Sequence, residues 1–362
     1  MMNRYAVIMA GGGGTRLWPL SRRDHPKHML KLSGDETMYE RSINRLLGSF
    51  QPDHIFVVTI QEQAEKLQKL TPHIPAVNFI IEPEPKGTAS VIGLAAITIE
   101  HRDPNAIMVV LTSDHLIDNV PEFLRIIDTG CKAAENGGLF TLGIHPTFAA
   151  TGYGYIEIGE VVSTAYGHPI HKVLKFKEKP DQKLAEEFIK SGTHLWNSGM
   201  FIWKTSQILA EMKDLMPELY GFLVEIRNSW KEIPSSDKLP EIWSKILPQT
   251  IDYGIMEKAS GISVIPVEDI GWNDVGSWLS LFDFMSSDVD GNIKLGEHII
   301  WQKAEHSLVV EENPHKLVAM IGLKDIIIVD TDKALLVCTK EQVQMVREIV
   351  AQLKSNDGSE YL

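Results

Sequence analysis

Residues 6–31 read AVIMAGGGGTRLWPLSRRDHPKHMLK, and this stretch is more informative than any other part of the chain. Its apolar start, residues 6–10, has the length of a buried strand and leads directly into four glycines, residues 11–14. Glycine lets the backbone turn sharply without a Cβ in the way, and the amides of such a turn can converge on an anion. We therefore predict a strand followed by a turn that binds phosphate groups.

The charge of this stretch is opposite to that of the whole chain, which carries a formal net charge of −13. Its only acidic residue is Asp24, and its basic residues are Arg16, Arg22, Arg23, Lys27 and Lys31. Anionic ligands must then be captured by local arrangement. The acidic balance argues against nucleic acid or an anionic membrane surface as the main partner.

The glycine turn does not match either of the two common phosphate-binding motifs. A P-loop requires Gly-Lys-Ser/Thr after its last glycine, whereas Gly14 is followed by Thr15-Arg16. The Rossmann fingerprint Gly-x-Gly-x-x-Gly, counted from Gly12, would need its third glycine at Leu17. The turn therefore belongs to another class of phosphate-binding loop.

The length and composition of the chain are those of an ordinary globular protein that is long for one domain. The chain has 362 residues, of which 44% are hydrophobic and 23% charged. It contains no run of roughly 20 apolar residues and no signal-peptide pattern, so we expect no membrane association. Its two cysteines, Cys131 and Cys338, form no disulfide framework or metal motif, and we expect a cytoplasmic protein.

Strand and helix patterns alternate through the first half, which predicts an α/β fold with a mainly parallel twisted sheet flanked by helices. The predicted strands are residues 6–10, 55–59, 78–81, 106–111 and 139–143. The predicted helices between them are residues 38–47, 62–69, 89–100 and 121–135. Ligands of such sheets bind beyond the carboxyl ends of the strands, where both the glycine turn and Asp114 fall.

The pattern changes twice in the second half. From about Thr151 it contains hairpin-like pieces, and residues 196–203 read as a further strand; we expect an insertion on the same sheet. After residue 290 short apolar runs recur about every ten residues, which predicts an all-β appendage, followed by a helix over residues 341–354. We therefore predict a catalytic domain over residues 1–288 and a β appendage over residues 289–362. An edge-rich appendage of this kind favours a homodimer.

The stretch resembles the signature of sugar nucleotidyltransferases, Gly-Gly-x-Gly-Thr-Arg-Leu followed about ten residues later by Pro-Lys, here Pro26-Lys27. The string TRLWPLSR, residues 15–22, is narrower and resembles the mannose-1-phosphate guanylyltransferases. The resemblance runs from Gly11 to about Lys354. It implies a Rossmann-like nucleotidyltransferase fold with a short β-helix-like appendage and no isomerase domain. It also implies that GMP is transferred from GTP to mannose 1-phosphate, giving GDP-mannose and pyrophosphate.

Such a transfer is an in-line displacement at the α-phosphorus, and its attacking phosphate is already ionised, since its second pKa is about 6. Catalysis then consists of positioning and cations. The resemblance implies that Arg16 and Lys27 are catalytic and contact the triphosphate. It implies that Mg²⁺ is held by Asp114, at a strand end, and by Asp274, in WNDVGSW, residues 272–278.

The resemblance also assigns the binding residues. The nucleotide-binding set is Gly11, Gly12, Gly14, Thr15, Glu82, Gly87 and Thr88. The sugar-phosphate-binding set is Gly154, Glu178, Lys179 and Asn197, and Asp252 and Glu257 fall in a further family block. Four positions depart from the family pattern: Gly13 stands for serine, His28 for glutamine, Lys86 for arginine and Gly87 for asparagine. None of these departures falls on a residue assigned to the metal or the phosphates. They concern the specificity for the nucleotide base. Thr88 could equally be a plain helix cap.

Three alternatives stay open from the sequence. The same transfer could use another nucleoside triphosphate and hexose 1-phosphate. A non-catalytic sugar-nucleotide sensor would be expected to lack one of the four catalytic and metal positions, and all four are present. A glycosyltransferase would carry an Asp-x-Asp metal motif; Asp288-Val289-Asp290 has that pattern but follows the other motifs and reads as a turn.

Overall fold

The computed structural model describes residues 3–12, 14–32, 34–230, 237–313, 315–355 and 358–362. The chain folds into two compact units. The sheet unit consists of the chain up to Gly11, Ile43–Ser113 and Ile117–Trp272. The C-terminal unit consists of Gly12–Ser42, Asp114–Leu116 and Asn273–Leu362. None of the described helices is long and apolar enough to cross a membrane.

The sheet unit is built on nine strands. They are β1 Arg4–Met9, β2 Ile55–Ile60, β3 Phe79–Glu82, β4 Ile107–Thr112, β5 Leu139–Ile144, β6 Tyr155–Ala165, β7 His168–Lys177, β8 His194–Lys204 and β9 Ile262–Val267. Their order in the sheet is β3-β2-β1-β4-β8-β5-β9-β7-β6. β3, β2, β1 and β4 are parallel, as are β5 and β9, whereas β6, β7 and β8 pair antiparallel with their neighbours.

The part of the chain that the structure describes contains eight α-helices before the end of β9. They are α1 Met38–Asn44, α2 Gln61–Leu70, α3 Thr88–Arg102, α4 Val120–Ala134, α5 Gln182–Ser191, α6 Thr205–Leu215, α7 Pro217–Asn228 and α8 Leu239–Ser244. α3 is buried along its whole length from Ala89 to Ile99, because it is apolar on every face. α4 begins where the Asn119 side chain accepts a hydrogen bond from the Glu122 amide. The sheet packs on α3, α6, α7 and α8 through one apolar core, in which Trp203 and Trp243 are fully buried.

The C-terminal unit contains a short β-solenoid and two further helices. Its strands are β10 Ile293–Leu295, β11 Ile299–Gln302, β12 Leu308–Glu311, β13 Val318–Ile321, β14 Ile326–Asp330 and β15 Leu335–Thr339, and its helices are α9 Ser280–Phe284 and α10 Val346–Ser355. β10, β12 and β14 stack in parallel, and β11 pairs in parallel with β13. Equivalent strands of successive solenoid coils therefore stack on one another. β15 closes the four-stranded sheet by pairing antiparallel with β14.

A single apolar core in this unit joins the solenoid to the glycine-turn segment. It includes Leu17 and Trp18, from the segment after β1, and Leu308, Val329 and Val350 of the solenoid and final helix. The Trp18 indole donates to the Tyr361 carbonyl at 2.7 Å, and the Trp278 indole donates to the Trp18 carbonyl at 3.2 Å. The segment that carries the predicted phosphate turn is thus fixed on the solenoid.

The predicted fold class is confirmed: a large sheet flanked by helices, followed by a solenoid-like β appendage. The five predicted strands of the first half are present within two residues of their predicted ends. Parallel pairing is confined to two groups of strands, so the sheet as a whole is mixed. β9 and the first two solenoid strands have no counterpart in the sequence analysis, because their short apolar runs are flanked by polar residues without a clear period.

Candidate active site

The turn after β1 brings two predicted site residues into contact. Gly14 adopts a left-handed backbone with φ of 49°, and a tight 3₁₀ turn, Thr15–Leu17, follows it. A Cβ added at Gly14 would lie 2.6 Å from the Lys27 Cβ, which is closer than two carbon atoms can approach. Glycine at this position is therefore required both by the backbone angle and by the proximity of Lys27.

Lys27 is the centre of the site in the C-terminal unit. Its side chain is buried, and its Nζ lies 2.8 Å from Asp114 Oδ2. The same ammonium donates a hydrogen bond to the main-chain carbonyl of Asp274. A buried ammonium requires such partners, since desolvating it alone is costly. Lys27 thus connects the two loops that carry the predicted metal ligands.

Asp114 lies two residues beyond Thr112, the last residue of β4. Burial would raise the pKa of Asp114, but the Lys27 ammonium, assisted by His115 and His28, outweighs it. The pKa of Asp114 is therefore held well below its ordinary value, and the group is a carboxylate at neutral pH.

Asp274 is oriented by a tight turn. The Val275 amide donates to Asn273 Oδ1 at 2.7 Å, and the Gly276 amide donates to Asp274 Oδ1 at 2.8 Å. Val275 has a φ of 45°, a left-handed angle that is unfavourable for a β-branched residue. Strain of this kind persists only where the surroundings enforce it, and here it fixes the direction of the Asp274 carboxylate.

The donor set around Lys27 fits a hard divalent cation. The described residues include no group of three or more His, Cys, Asp or Glu side chains able to hold a metal ion by themselves. Mg²⁺ does not need one, since it binds through one or two carboxylates and completes its shell with phosphate oxygens and water. A Cβ added at Gly276 would lie 2.8 Å from Asp274 Oδ2, so this glycine keeps space open beside the carboxylate. Asp114 and Asp274 are thus suitable ligands.

The remaining basic residues of the stretch differ in environment. Arg16 is exposed, and it forms no ion pair with any residue that the structure describes, so its guanidinium is available to an anion. Arg22 is buried; it donates to the Pro19 carbonyl at 3.1 Å and lies 3.3 Å from Asp332. Arg22 therefore stabilises the loop on the solenoid, while Arg23 is exposed.

Glu82, the last residue of β3, is an unusual carboxylate in the sheet unit. It is 3% exposed, and its Oε2 has no hydrogen-bond partner among the described residues. Burial raises the pKa of Glu82 to about 7, and a hydrogen bond from the Lys86 amide only partly opposes this. A Cβ added at Gly11 would lie 2.7 Å from Glu82 Oε1, so glycine lets the first residue of the turn pass over the carboxylate.

The loop between β3 and α3, residues 83–87, is held by main-chain contacts. Gly87 has a φ of 87°, and any side chain there would collide with the Gln249 carbonyl. The Thr88 hydroxyl accepts a hydrogen bond from the Ile251 amide at 2.9 Å. Thr88 therefore has a hydrogen-bond partner within the protein. It is not the N-cap of its own helix, because Gly87 occupies that position.

A second polar cluster in the sheet unit contains the predicted sugar-phosphate residues. Lys179 forms an ion pair with Glu178, and a Cβ added at Gly154 would collide with the Glu178 carboxylate. Asn197 Nδ2 donates to Asp252 Oδ1 at 2.9 Å. Burial, together with the Glu178 carboxylate, raises the pKa of Asp252 to about 6. The cluster combines acceptors for hydroxyl groups with one cation.

The structure thus places the predicted residues in three groups, each inside one unit. Gly14, Lys27, Asp114 and Asp274 come together in the C-terminal unit, where Gly12, Thr15 and Arg16 lie in the same turn segment. Gly11 meets Glu82, and the four sugar-phosphate residues form one cluster with Asp252. The sequence analysis missed Gln249, which holds the β3–α3 loop; no signal could have found it, since its contacts use only its main chain.

Comparison with known proteins identifies the family of the chain. The chain matches the Nucleotidyl transferase family over residues 5–291 and the MannoseP isomerase/GMP-like β-helix domain over residues 300–353. It is 38% identical to mannose-1-phosphate guanylyltransferase 2 of Escherichia coli O157:H7, over 99% of this chain and 75% of that protein. It is 37% identical to the mannose-1-phosphate guanylyltransferase ManC of Salmonella typhimurium, over 99% of this chain and 74% of that protein.

A solved structure extends the likeness to the whole fold. The crystal structure described as mannose-1-phosphate geranyltransferase from Thermus thermophilus has a TM-score of 0.86 to this chain. The two chains are 29% identical, and the match covers 98% of this chain and 100% of the other. The chain therefore belongs to the nucleotidyl transferase family, as an enzyme, and within it to the mannose-1-phosphate guanylyltransferases. The resemblance found in TRLWPLSR is confirmed.

Proposed function

We propose that the chain transfers GMP from GTP to α-D-mannose 1-phosphate, producing GDP-mannose and pyrophosphate. The observation that carries the proposal is Lys27, whose ammonium contacts both the Asp114 carboxylate and the Asp274 carbonyl. One buried cation thus joins the glycine turn to the Asp114 carboxylate and to the main chain of Asp274, and transfer between polyanions requires a cation and carboxylates of this kind. The names of the bacterial relatives support the choice of substrates.

The proposed reaction needs no general base and no covalent intermediate. An oxygen of the mannose 1-phosphate dianion attacks the α-phosphorus of GTP, a P–O bond forms, and the bond to the β-phosphate oxygen breaks. Pyrophosphate leaves with the electron pair. In this proposal, Lys27 lies beside the α-phosphate and Arg16 binds the β- and γ-phosphate oxygens as their charge grows.

Asp114 and Asp274 would hold the divalent cation, with Mg²⁺ as our assignment, and it would neutralise charge on the triphosphate. Lys27 would then serve two purposes. It keeps the Asp114 carboxylate ionised and in place before the nucleotide arrives, and it meets the incoming phosphate. The glycine turn supplies main-chain amides for the same phosphates, from Gly11, Gly12, Gly14 and Thr15.

Glu82 supports guanine as the base. The Watson–Crick edge of guanine presents two neighbouring N–H donors, and a carboxylate with a buried unpaired oxygen is a suitable acceptor for them. Adenine presents an acceptor in the central position, which a carboxylate would repel. We therefore propose that Glu82 selects GTP over ATP, with the β3–α3 loop around Gly87 as the wall of the base pocket.

The cluster around Glu178 supports a hexose phosphate as the acceptor. We propose that Glu178 and Asn197 bind sugar hydroxyls, that Gly154 allows the ring to approach the backbone, and that Lys179 binds the sugar phosphate. A carboxylate or amide that binds a sugar hydroxyl group discriminates strongly against sugars that have no hydroxyl group pointing towards it.

We also propose that the enzyme is a cytoplasmic homodimer. The four-stranded sheet of the solenoid ends at β15, whose Leu335 and Val337 side chains are exposed. An edge strand with apolar side chains is a suitable surface for a second copy. Sedimentation equilibrium tests this proposal, and a Val337→Lys variant should be monomeric if β15 is the contact.

Pyrophosphate release with Mg²⁺ tests the function directly. GTP, ATP, UTP, CTP and dTTP should each be assayed with mannose 1-phosphate and glucose 1-phosphate. Strong preference for GTP with mannose 1-phosphate, lost in Asp114→Ala and Arg16→Ala, supports the proposal. Preference for another pair keeps the mechanism and contradicts the substrates. Tight binding of a nucleotide sugar without turnover indicates a sensor.

A further inference from the structure

One stretch of the sheet unit, residues 243–257, contacts both the β3–α3 loop and the cluster around Glu178. We call it the bridging segment. At its start, the Trp243 indole donates to the Glu84 carbonyl at 2.8 Å. Farther along, the Gln249 amide donates to the Lys86 carbonyl at 3.0 Å, and the Gln249 carbonyl accepts from the Ala89 amide at 3.2 Å. The bridging segment is therefore pinned along the β3–α3 loop.

Its other end is pinned to the sugar-phosphate cluster. Asp252, directly after Ile251, accepts a hydrogen bond from Asn197 Nδ2. Glu257, at the end of the segment, accepts a hydrogen bond from the Glu178 amide at 3.2 Å. Between them lies a short π-helix, Asp252–Met256, whose buried residues Ile255 and Met256 fix it in the apolar core.

The Asn197 amide can have only one orientation in this network. Its Oδ1 must face the Gly199 amide, which donates to it at 3.2 Å. Nδ2 consequently points to Asp252, which has the only carboxylate that it contacts among the described residues. The Thr141 hydroxyl also lies 3.3 Å from Asn197 Oδ1, so Gly199 and Thr141 hold the amide oxygen while Asp252 holds the amide nitrogen.

Thr88 links the β3–α3 loop to the bridging segment. Its hydroxyl oxygen accepts from the amide of Ile251, the residue immediately before Asp252. Ile251 is buried, so its amide cannot turn to water if Thr88 is lost. The bonds run from Thr88 to Ile251, through the backbone to Asp252, and then to Asn197.

We propose that Thr88 is a positioning residue for the sugar phosphate, although it lies at the loop that we assign to the nucleotide base. It fixes Ile251, which sets the position of Asp252 and thus of the carboxylate that accepts from Asn197 Nδ2. This inference rests on the proposed function for its substrates, but the bonds themselves do not. In this inference Thr88 does not contact the nucleotide directly but acts indirectly on the binding of the sugar phosphate.

The test compares Thr88→Val, which removes the acceptor, with Thr88→Ser, which keeps it. Thr98→Val is the matched control, because Thr98 lies in the same helix and its hydroxyl donates to the Leu94 carbonyl, also within α3. In Thr88→Val the KM for mannose 1-phosphate should rise about fivefold, the effect of one hydrogen bond, with the KM for GTP within about twofold of wild type. Thr88→Ser should restore both values.

A double variant examines the order of the bonds. If Thr88 acts through Asp252, then Thr88→Val combined with Asp252→Ala should raise the KM for mannose 1-phosphate no further than Asp252→Ala alone. Additive effects overturn the inference. It is also overturned if Thr88→Val raises the KM for GTP alone, raises both KM values equally, or changes neither.

Amide hydrogen exchange separates this inference from the proposed function. Peptides covering residues 243–257 should exchange faster in Thr88→Val than in wild type, Thr88→Ser or Thr98→Val, with no substrate present. Unchanged exchange overturns the inference whatever the enzyme's activity. If the wild type does not use GTP and mannose 1-phosphate, the proposed function fails, and the KM comparison is made with the pair that it does use.

Discussion

The Lys27 ammonium lies 2.8 Å from the Asp114 carboxylate and also donates to the Asp274 carbonyl, so it holds two loops from distant parts of the sequence. A lysine in this position neutralises a carboxylate before any substrate binds. In the proposed function the same ammonium faces the phosphates of the nucleotide. Both its electrostatic and its geometric contributions can be tested by substitution.

We expect Lys27→Met to lower kcat by about 10²- to 10³-fold, the usual effect of removing one preorganised charge-stabilising group. Methionine keeps the buried stem of the side chain, so the fold should survive. Lys31→Met is the control, because Lys31 is an exposed residue of the same basic stretch. Steady-state pyrophosphate release measures the effect. A kcat within about threefold of wild type would remove Lys27 from the catalytic residues.

Gly14→Ala should inactivate the enzyme by displacing Lys27, because the new Cβ would lie 2.6 Å from the Lys27 Cβ. Gly34→Ala separates this clash from backbone strain. Gly34 also has a left-handed φ, of 77°, but its Cβ would meet no atom within 4 Å. Gly34→Ala should lose about 1 kcal/mol of stability, Gly14→Ala should lose more because of the added clash, and only Gly14→Ala should lose turnover. Equal loss of turnover in both would assign the effect to strain.

Much of the sheet unit could be predicted from the sequence, because its strands are short apolar runs separated by helical patterns. The turn after β1 could also be predicted, since a run of glycines favours a left-handed backbone angle such as that of Gly14. The predicted helix over residues 341–354 is interrupted in the structure: Lys340–Met345 is a 3₁₀ helix, and α10 begins at Val346. Side-chain periodicity does not distinguish these two kinds of helix over so short a stretch.

The site was predictable as a set of residues but not as a geometry. Nothing in the spacing of Lys27, Asp114 and Asp274 indicates that one ammonium contacts both loops. The pKa of Glu82 is raised because its side chain is buried. The sequence shows only a single carboxylate at the end of an apolar strand and does not reveal this burial. The contact between Thr88 and Ile251 was equally invisible, because it involves a main-chain amide 163 positions away.

Gly154→Ala should raise the KM for mannose 1-phosphate and leave the KM for GTP unchanged. The new Cβ would displace the Glu178 carboxylate and lie 3.3 Å from the Asn197 Cβ, so the cluster should change shape while the core stays intact. Gly152→Ala is the control, because its Cβ would meet no atom within 4 Å. Separate KM determinations for the two substrates measure the effect. An increase confined to GTP would contradict our assignment of the cluster.

Glu82 should make the free enzyme less stable as the pH rises. The pKa of Glu82 is raised from 4.5 to about 7 in the folded protein. Its contribution to stability is therefore complete below pH 4.5, declines between pH 4.5 and 7, and is lost above 7, by up to about 3 kcal/mol. Glu82→Gln should accordingly gain stability over wild type at about pH 8 and little at about pH 5. Urea unfolding at both values measures this, and an equal difference at both would contradict the shift.

The same carboxylate should make GTP binding weaken in acid. If Glu82 accepts the two N–H donors of guanine, only its ionised form binds well, so affinity should fall by up to about tenfold per pH unit below 7. The phosphates of GTP titrate in this range as well, but they do so equally in a Glu82→Gln variant. The ratio of the wild-type and Glu82→Gln affinities, measured calorimetrically between about pH 5.5 and 8.5, isolates the carboxylate. A ratio that stays constant over this range would show that Glu82 does not read the base, whereas a ratio that rises and levels off above about pH 7 would identify it as the residue that selects guanine.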